Sequence, residues 1–489
     1  MLLSNVAAGQ IVPAAGSTVS ITGLTADSRA IKPGFLFAAL KGTHVDGADF
    51  AAKAVGAGAV AVLCERDAAD RLAQELSKDV VLWPSDNPRR DFALMAARFH
   101  GAQPEVMVAV TGTSGKTSVA HFVRQIFQAA GHASASLGTI GTVTADGQSY
   151  GGLTTPDPVS LHAELARLSK EGITHTALEA SSHGLDQHRL DGVRLVAAGF
   201  TNLGRDHMDY HPTVEDYLQA KLRLFRDLLL KGAPVVVEPS EPYADRVIAV
   251  AQERGLPVFS VGEAGENIRL AKLTPTAGGQ ELVVEAGGQT TTVLLPLIGR
   301  FQVSNALVAA GLCICAGVAP DEAIAALAEL KGAPGRLEFA GRSQTGGTVY
   351  IDYAHKPDAL ENALAALRPF ASGQLSVVIG AGGDRDPGKR EIMGRVSQVG
   401  ADLVIVTDDN PRTEDPATIR KAVLSGAPGA LEIGDRREAI REGVRRLKSG
   451  DILCVAGKGH ETGQIIGQTV HPFSDHEAVA EALAAGETE

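Results

Sequence analysis

Short apolar runs bounded by glycine, proline and asparagine alternate along most of this chain with longer stretches whose apolar residues recur at helical spacing. Near the start, residues 18–21, 59–63 and 80–83 have the composition of strands, and the series stops at the breaker Pro84-Ser85-Asp86-Asn87-Pro88. A helical pattern over 91–100 then leads into an apolar strand at 106–110 and a glycine-rich turn. Another helix is expected over 320–330, just before a second breaker at Gly332-Ala333-Pro334-Gly335. Beyond it the order strand, polar loop, helix recurs, with strands expected at 348–351, 375–379, 403–406 and 452–455. Residues 403–406 are apolar throughout, as in a strand covered on both faces.

Alternation of this kind predicts a mainly parallel sheet wound with helices, whose ligands bind at the carboxyl ends of the strands. All four polar loops of the last part fall there. A chain of 489 residues exceeds what one core serves. The expected fold is therefore α/β in three domains: a small N-terminal one over 1–88, a central P-loop ATPase-like parallel sheet over 89–334, and a C-terminal Rossmann-like domain over 335–489.

Composition narrows the function classes. Hydrophobic residues make up 44% and aromatic residues only 4%, with 55 glycines, which suits tight turns in a globular α/β protein and argues against disorder. A net charge of −12 gives no general basic surface for nucleic acid, so an anionic ligand needs a local pocket. Cys64, Cys313, Cys315 and Cys454 form no CxxC pair and no ligand series with histidine, which fits a reducing compartment. The N-terminus lacks the features of a signal peptide, and the apolar run 306–319 is too short to span a bilayer. The expectation is a soluble cytoplasmic monomer without membrane insertion.

The first candidate chemistry is the segment TGTSGKTS after the strand at 106–110, containing Gly112, Thr113, Ser114, Gly115, Lys116, Thr117 and Ser118. Between a strand and an amphipathic helix, its backbone N–H groups can cradle phosphates, Lys116 can neutralise them, and the Thr117 hydroxyl can reach Mg2+. Val110 replaces the first glycine of the commoner eight-residue pattern. ATP is the expected ligand. Glu179 ends a strand-like run at 174–178, and Asp206, His207, Asp209 and His211 precede the helical YLQAK that contains Lys221. Singly, Glu179 reads as a turn acid, His207 as a helix cap or packed histidine, and Lys221 as a solvated lysine. Their order relative to the phosphate loop suggests one site.

Taken together, GTSGKT, Thr154-Thr155-Pro156, EASSHGL, TNLGRDHMDYH, YLQAK, GRFQVSNALVA, GRLE and DYAHKPDAL resemble the Mur ligase family, the ATP-dependent amide-forming enzymes of peptidoglycan synthesis, in that family's order. The resemblance implies one Mg2+ on Thr117 and Glu179, and a second on His207 and a carbamate (N6-carboxylysine) at Lys221. It makes Lys116, Glu179, His207 and Lys221 the catalytic set, and brings Asn305, Arg336, Asp352 and His355 to the nucleotide. The implied reaction phosphorylates a carboxylate with ATP and lets an amine attack the acyl phosphate.

Within the family, GLTADSRAIKPGFLFAALKGTHVDG resembles the UDP-binding segment of diaminopimelate-type ligases, implying that Ala26, Ser28, Thr43, His44 and Val45 lie near the uridine diphosphate. Ala26 and Val45 also admit plain core or loop readings. Thr154, Thr155, Ser181, Gln187 and Arg189 match positions that hold the muramoyl-dipeptide. The intact DNPR, Asp409, Asn410, Pro411 and Arg412, resembles the signature of ligases that add meso-diaminopimelate, joined by Arg385, Gly457 and Glu461. An arginine can grip that amino acid's distal carboxylate with two prongs while acids hold its ammonium. The implied partners are UDP-N-acetylmuramoyl-L-alanyl-D-glutamate and meso-diaminopimelate. Addition of L-lysine, a folylpolyglutamate-type ligase and a nucleotide-hydrolysing regulator are the alternatives.

Overall fold

Residues 1–7, 18–42, 45–149, 151–204, 206–207, 210–276 and 279–485 are described by the computed structural model of the chain. By compactness they fall into two units, Met1–Asn267 with Val308–Ala323, and Ile268–Leu307 with Ile324–Glu489. Thr43, His44 and Asp209 lie outside the described residues.

The first unit opens with a four-stranded parallel sheet in the order Gly23–Thr25, Phe35–Ala39, Ala61–Glu65, Val81–Ser85. Alternate side chains go to opposite faces: Leu36, Ala38 and Leu63 join a core with Trp83, Phe92 and Met95, while Phe37, Ala39, Val62 and Cys64 pack with Leu72. Two expectations need correction here. Residues 18–21 form no strand beyond an isolated bridge from Ser20 to Leu2; the strand is the unbroken apolar run Phe35–Ala39, which has no polar alternation to mark it. The breaker at 84–88 does not end the strand early either. Pro84 lies on the edge strand, where a missing donor is tolerated, and Asn87 caps the helix Pro88–His100 through the Arg90 N–H, with Pro88 in its first turn.

A second sheet in this unit has the order Val258–Gly262, Val235–Val237, Leu195–Phe200, Val106–Thr111, His175–Glu179, Ser134–Gly138, Gly141–Val143, Gln148–Ser149. Its strands are parallel as far as Ser134–Gly138, and the last two turn back antiparallel. Val106–Thr111 lies between His175–Glu179 and Leu195–Phe200, so the loops after all three emerge together on one rim. The helix Lys116–Ala129 buries Phe122, Val123, Ile126 and Phe127 beneath the phosphate loop.

In the second unit, Ile268–Thr276, Gly279–Ala286 and Gln289–Leu295 form an antiparallel meander that the sequence reading did not anticipate. The sheet that follows has the order Glu338–Arg342, Thr348–Asp352, Ile452–Ala456, Leu375–Ile379, Leu403–Val406, Leu431–Glu432. All but the first strand are parallel. The four expected strands are its centre, and their loops share one rim. The helix expected over 320–330 is α-helical only over Pro320–Ala325 and continues as a 3-10 turn, Ala326–Glu329. Among the described residues no helix is long and apolar enough to cross a membrane.

His162, on the helix Pro158–Lys170, is buried with Nε2 3.0 Å from the Asp191 carbonyl. That oxygen can only accept, so Nε2 carries a proton, and the buried Nδ1, with no hydrogen-bond partner among the described residues, favours the neutral ring. Burial holds its pKa down to about 4. An unfolded histidine titrates near 6.5, so stability is undiminished above that pH and falls as pH drops from about 6.5 towards 4, where only the unfolded chain takes up the proton. His162→Gln keeps a donor for Asp191 and cannot titrate. Its urea midpoint is expected to fall less than the wild type's between pH 7 and pH 5; an equal fall would place the proton penalty elsewhere.

Candidate active site

The phosphate-loop segment is tied on both sides before any ligand is considered. Gly115 has φ +86°, which favours glycine, and the helix begins at Lys116. Its first N–H groups have no intrahelical partner and are a ready place for an anion. Thr113 N donates to the Asn202 carbonyl at 2.9 Å, Ser114 N to Asn202 Oδ1 at 3.0 Å, and Thr201 Oγ1 to the Ser114 carbonyl at 2.6 Å. A side chain at Gly112 would run into Thr201 Oγ1, so the close approach of the two loops requires glycine. Ser118 is buried in the first helical turn.

Two lysines converge on the Gly112 carbonyl. Lys116 Nζ donates to it at 2.7 Å and to the Thr113 carbonyl at 3.0 Å, and Lys221 Nζ donates to it at 2.7 Å. Lys221 is not the solvated lysine that a helical position suggests: it is 1% exposed, with its amine 4.2 Å from the centre of the Tyr217 ring one turn earlier. Among the described residues it forms no ion pair. Burial, and then the charge of Lys116, holds its amine well below the usual lysine range, with Asp206 acting the other way.

Glu179 is likewise no surface turn acid. Buried at the end of its strand, it accepts from Thr117 Oγ1 at 3.1 Å, from Thr139 N at 2.8 Å and from Thr139 Oγ1 at 3.1 Å. Thr139 Oγ1 lies 3.0 Å from Thr154 Oγ1. Thr155 Oγ1 donates to the Glu179 carbonyl at 2.8 Å, lies 3.0 Å from Ser181 Oγ, and accepts from Ser181 N at 3.0 Å. Arg189 then reaches the Thr155 carbonyl at 2.7 Å and Gln187 Oε1 at 2.8 Å. The segments quoted from 112–118, 154–155 and 179–189 are thus one hydrogen-bonded cluster. Thr139 and Gly138 belong to it and carry no motif of their own.

His207 is 44% exposed at its side chain, with φ +54° and its ring against those of His183, 4.8 Å away between centres, and Tyr217, at 6.2 Å. Tyr217 therefore touches both His207 and Lys221. Ala26 is exposed and Ser28 half-buried after the strand Gly23–Thr25, in a turn held by Thr25 Oγ1 and Asp27; Val45 is 60% exposed. Neither Ala26 nor Val45 is a core residue.

In the second unit, Asn305 Nδ2 donates to Gln302 Oε1 at 3.2 Å, and Gln302 Nε2 to the Arg336 carbonyl at 3.1 Å. The Arg336 guanidinium lies 4.7 Å from the centre of the Tyr353 ring. Half-buried Asp352 accepts from Leu337 N at 2.7 Å and Ala354 N at 2.8 Å, and desolvation pushes its carboxyl up. His355 Nδ1 lies 2.8 Å from the Tyr353 carbonyl, and burial pulls its pKa down to about 4.

The DNPR loop is folded tightly against its neighbours. Asn410 Nδ2 donates to Glu461 Oε2 at 3.0 Å, and Lys458, which the sequence reading passed over, binds Asn410 Oδ1, Glu461 Oε2 and Asp409 Oδ1. Pro411 is buried, its carbonyl so close to Gly383 that a side chain there would collide. Gly457, at φ +121°, brings its backbone beside Asp409. Arg412 has φ +52° and donates through Nη1 to the Gly383 carbonyl at 2.8 Å. Among the described residues nothing hydrogen-bonds to its Nε or Nη2, which leaves one edge of the fork for a ligand. Arg385 is exposed and reaches only the Asp384 carbonyl, at 3.5 Å.

A side chain at Gly138 would collide with the Glu179 carboxylate. Gly138→Ala is therefore expected to displace that carboxylate and lower turnover about 100-fold. The cost in stability should be about 1–3 kcal/mol. Steady-state rates and urea midpoints test this; near-normal turnover would show that the position of Glu179 is not critical.

Models of the Mur ligase family match the chain in three places: the Mur ligase family catalytic domain over residues 20–100, the Mur ligase middle domain over 110–313, and the Mur ligase glutamate ligase domain over 335–459. A UDP-N-acetylmuramoyl-L-alanyl-D-glutamate--2,6-diaminopimelate ligase of Agrobacterium fabrum is 56% identical over 466 residues, 95% of this chain and 94% of its own. The enzyme of the same name from Mesorhizobium japonicum is 56% identical over 469 residues, 96% of each chain. A solved structure of a ligase of that name, 32% identical, superposes with a TM-score of 0.74 and covers 100% of both chains. A MurF ligase from Thermotoga maritima in complex with ADP, at 20% identity and TM-score 0.61, covers 96% of this chain and 98% of its own and shows the shared fold. With every matched segment in place along a three-domain α/β chain, the protein belongs to the Mur ligase family.

Proposed function

We propose that the chain is an ATP-dependent ligase that joins meso-diaminopimelate to UDP-N-acetylmuramoyl-L-alanyl-D-glutamate in the cytoplasm, a step of peptidoglycan precursor synthesis on which cell shape and division depend. In this reading residues 1–88 hold the uridine diphosphate, 89–334 the ATP and 335–489 the incoming amino acid. The observation that carries it is the rim of the C-terminal sheet, where the open edge of Arg412 and the acids Asp409 and Glu461 offer opposite charges to a distal amino-acid head group. Relatives that match over nearly their whole length and bear this activity in their names support it.

The chemistry follows from the side chains. ATP would lie with its phosphates on the loop Gly112–Gly115 and the first-turn N–H groups of the helix, with Lys116 leaving the Gly112 carbonyl for the transferring phosphoryl group. A carboxylate oxygen of the dipeptide attacks the γ-phosphorus, giving ADP and an acyl phosphate. The diaminopimelate amine attacks the acyl carbon, loses a proton, and the amide forms as phosphate leaves. Arg189, with Thr154, Thr155, Ser181 and Gln187, would orient the dipeptide. Asn305, Arg336, Asp352 and His355 would meet the nucleotide.

For divalent ions the donor set fits: Thr117 Oγ1 and the Glu179 carboxylate are hard oxygens already side by side, and hard cations take oxygen ligands. Mg2+ held there, and a second held by His207 and a carbamate on Lys221, would supply stabilisation of charge on the transferring phosphoryl group. A carbamate forms when a neutral amine attacks CO2 and gives up a proton, and the burial of Lys221 and the charge of Lys116 favour that neutral form.

Arg412→Ala is expected to raise the apparent KM for meso-diaminopimelate by the equivalent of about 2–5 kcal/mol, the usual cost of unpairing a buried charge. Arg412→Lys should recover only part of that, because an ammonium lacks the two-pronged geometry. The KM values for ATP and the UDP-substrate should barely change. A defect shared equally with ATP, or wild-type use of L-lysine on a par with meso-diaminopimelate, would contradict the assignment.

A further inference from the structure

Lys458 follows the strand Ile452–Ala456 and is 0% exposed, an unusual place for a long cationic side chain. Its ammonium lies 2.9 Å from Asn410 Oδ1, 3.1 Å from Glu461 Oε2 and 3.3 Å from Asp409 Oδ1. All three partners are residues placed above at the amino acid. They are also fixed to one another and to the adjoining hairpin, since Asn410 Oδ1 accepts from Ile465 N at 2.9 Å and Gln464 Nε2 donates to the Asp409 carbonyl at 2.7 Å.

Charge makes the arrangement more than a brace. Behind Gly457 a second buried cation, Arg436, is paired in two prongs with buried Asp475 at 2.7 and 2.8 Å, so that pair is neutral by itself. Asp409 and Glu461 together carry two negative charges and Lys458 one positive, which leaves a single negative charge. Arg412 supplies one positive charge beside it, while the charge of exposed Arg385 is met by the neighbouring carboxylate of Asp384. A site with one charge of each sign matches a zwitterionic head group and is poorly matched to a lone ammonium, which would leave the arginine unpaired.

We propose that Lys458 is a specificity-determining positioning residue: by cancelling one of the two carboxylate charges while fixing Asp409, Asn410 and Glu461, it sets the site for a zwitterion over a simple cation. This rests on the assignment of the DNPR rim to the amino acid. Without Lys458 the acids would present two negative charges, and the balance would shift towards a substrate whose far end is only an ammonium.

The test is competition between meso-diaminopimelate and L-lysine, read by product mass and by kcat/KM for each, in wild type, Lys458→Met and Lys458→Gln. Both variants are expected to lose about ten-fold or more in kcat/KM for meso-diaminopimelate. L-Lysine should lose less or gain, so that the preference narrows, while the KM for ATP stays within about two-fold. A purely structural role would lower both amino acids alike, and an unchanged preference overturns the proposal. If the Met variant unfolds, seen as a collapsed urea midpoint, the Gln variant decides, because it keeps an N–H donor on a side chain one bond shorter and removes the charge. A wild type that does not prefer meso-diaminopimelate would instead refute the assignment of the rim, a separate failure visible before any variant is made.

Discussion

Two lysine heads donate to one peptide oxygen, the carbonyl of Gly112, and much of the central site follows from that crowding. Two positive charges that share one carbonyl, with little water between them, repel each other more strongly than they would in solvent. The conflict is relieved when one amine loses its proton, and burial beside Tyr217 lowers the proton affinity of Lys221. Its helix Val214–Arg223 is fixed at its start by a capping box between Thr213 and Asp216, so the amine is delivered to the loop by a rigid element. A neutral amine beside a cation is suited to becoming an anion, and a cation resting on a carbonyl is suited to moving onto phosphate. Each change would relieve the repulsion between the two lysine heads.

The two rims solve complementary problems within a chain of net charge −12. On the central sheet, Lys116, Arg189 and helix N–H groups gather positive potential for phosphates and carboxylates, with Glu179 as the embedded acid. On the C-terminal sheet the acids Asp409 and Glu461 outnumber the internal cation Lys458 by one, and Arg412 faces them. Both rims lie at carboxyl ends of parallel strands, because loops there can change while the strands beneath stay buried on both faces.

Much of this was legible from local pattern. The strand, GTSGKT and helix sequence marked the phosphate loop, and four apolar runs marked the centre of the last sheet. What escaped depends on contacts distant in sequence. Thr139 meets Glu179 only because Ser134–Gly138 lies beside His175–Glu179 in one register, which periodicity does not fix. Lys458 carries no signal of its own in the sequence, because its partners Asp409 and Asn410 lie nearly fifty residues away. Phe35–Ala39 was missed because a short apolar run cannot be told from a buried helical segment by periodicity alone and, unlike 403–406, it stands in no repeating strand–loop–helix series, and residues 18–21 were over-read because β-branched content without a partner strand does not make a sheet. Helical position likewise made Lys221 look solvated; its burial is set by the loop it reaches, 109 residues earlier.

The most direct measurement of the account is carbon NMR of the protein equilibrated with 13C-labelled bicarbonate. If Lys221 takes up CO2 as its lowered proton affinity favours, wild-type protein will show a carbamate carbon resonance that is absent from Lys221→Met and persists when Mg2+ and ATP are added. An active wild-type preparation with no such resonance, or one that survives in Lys221→Met, would contradict it.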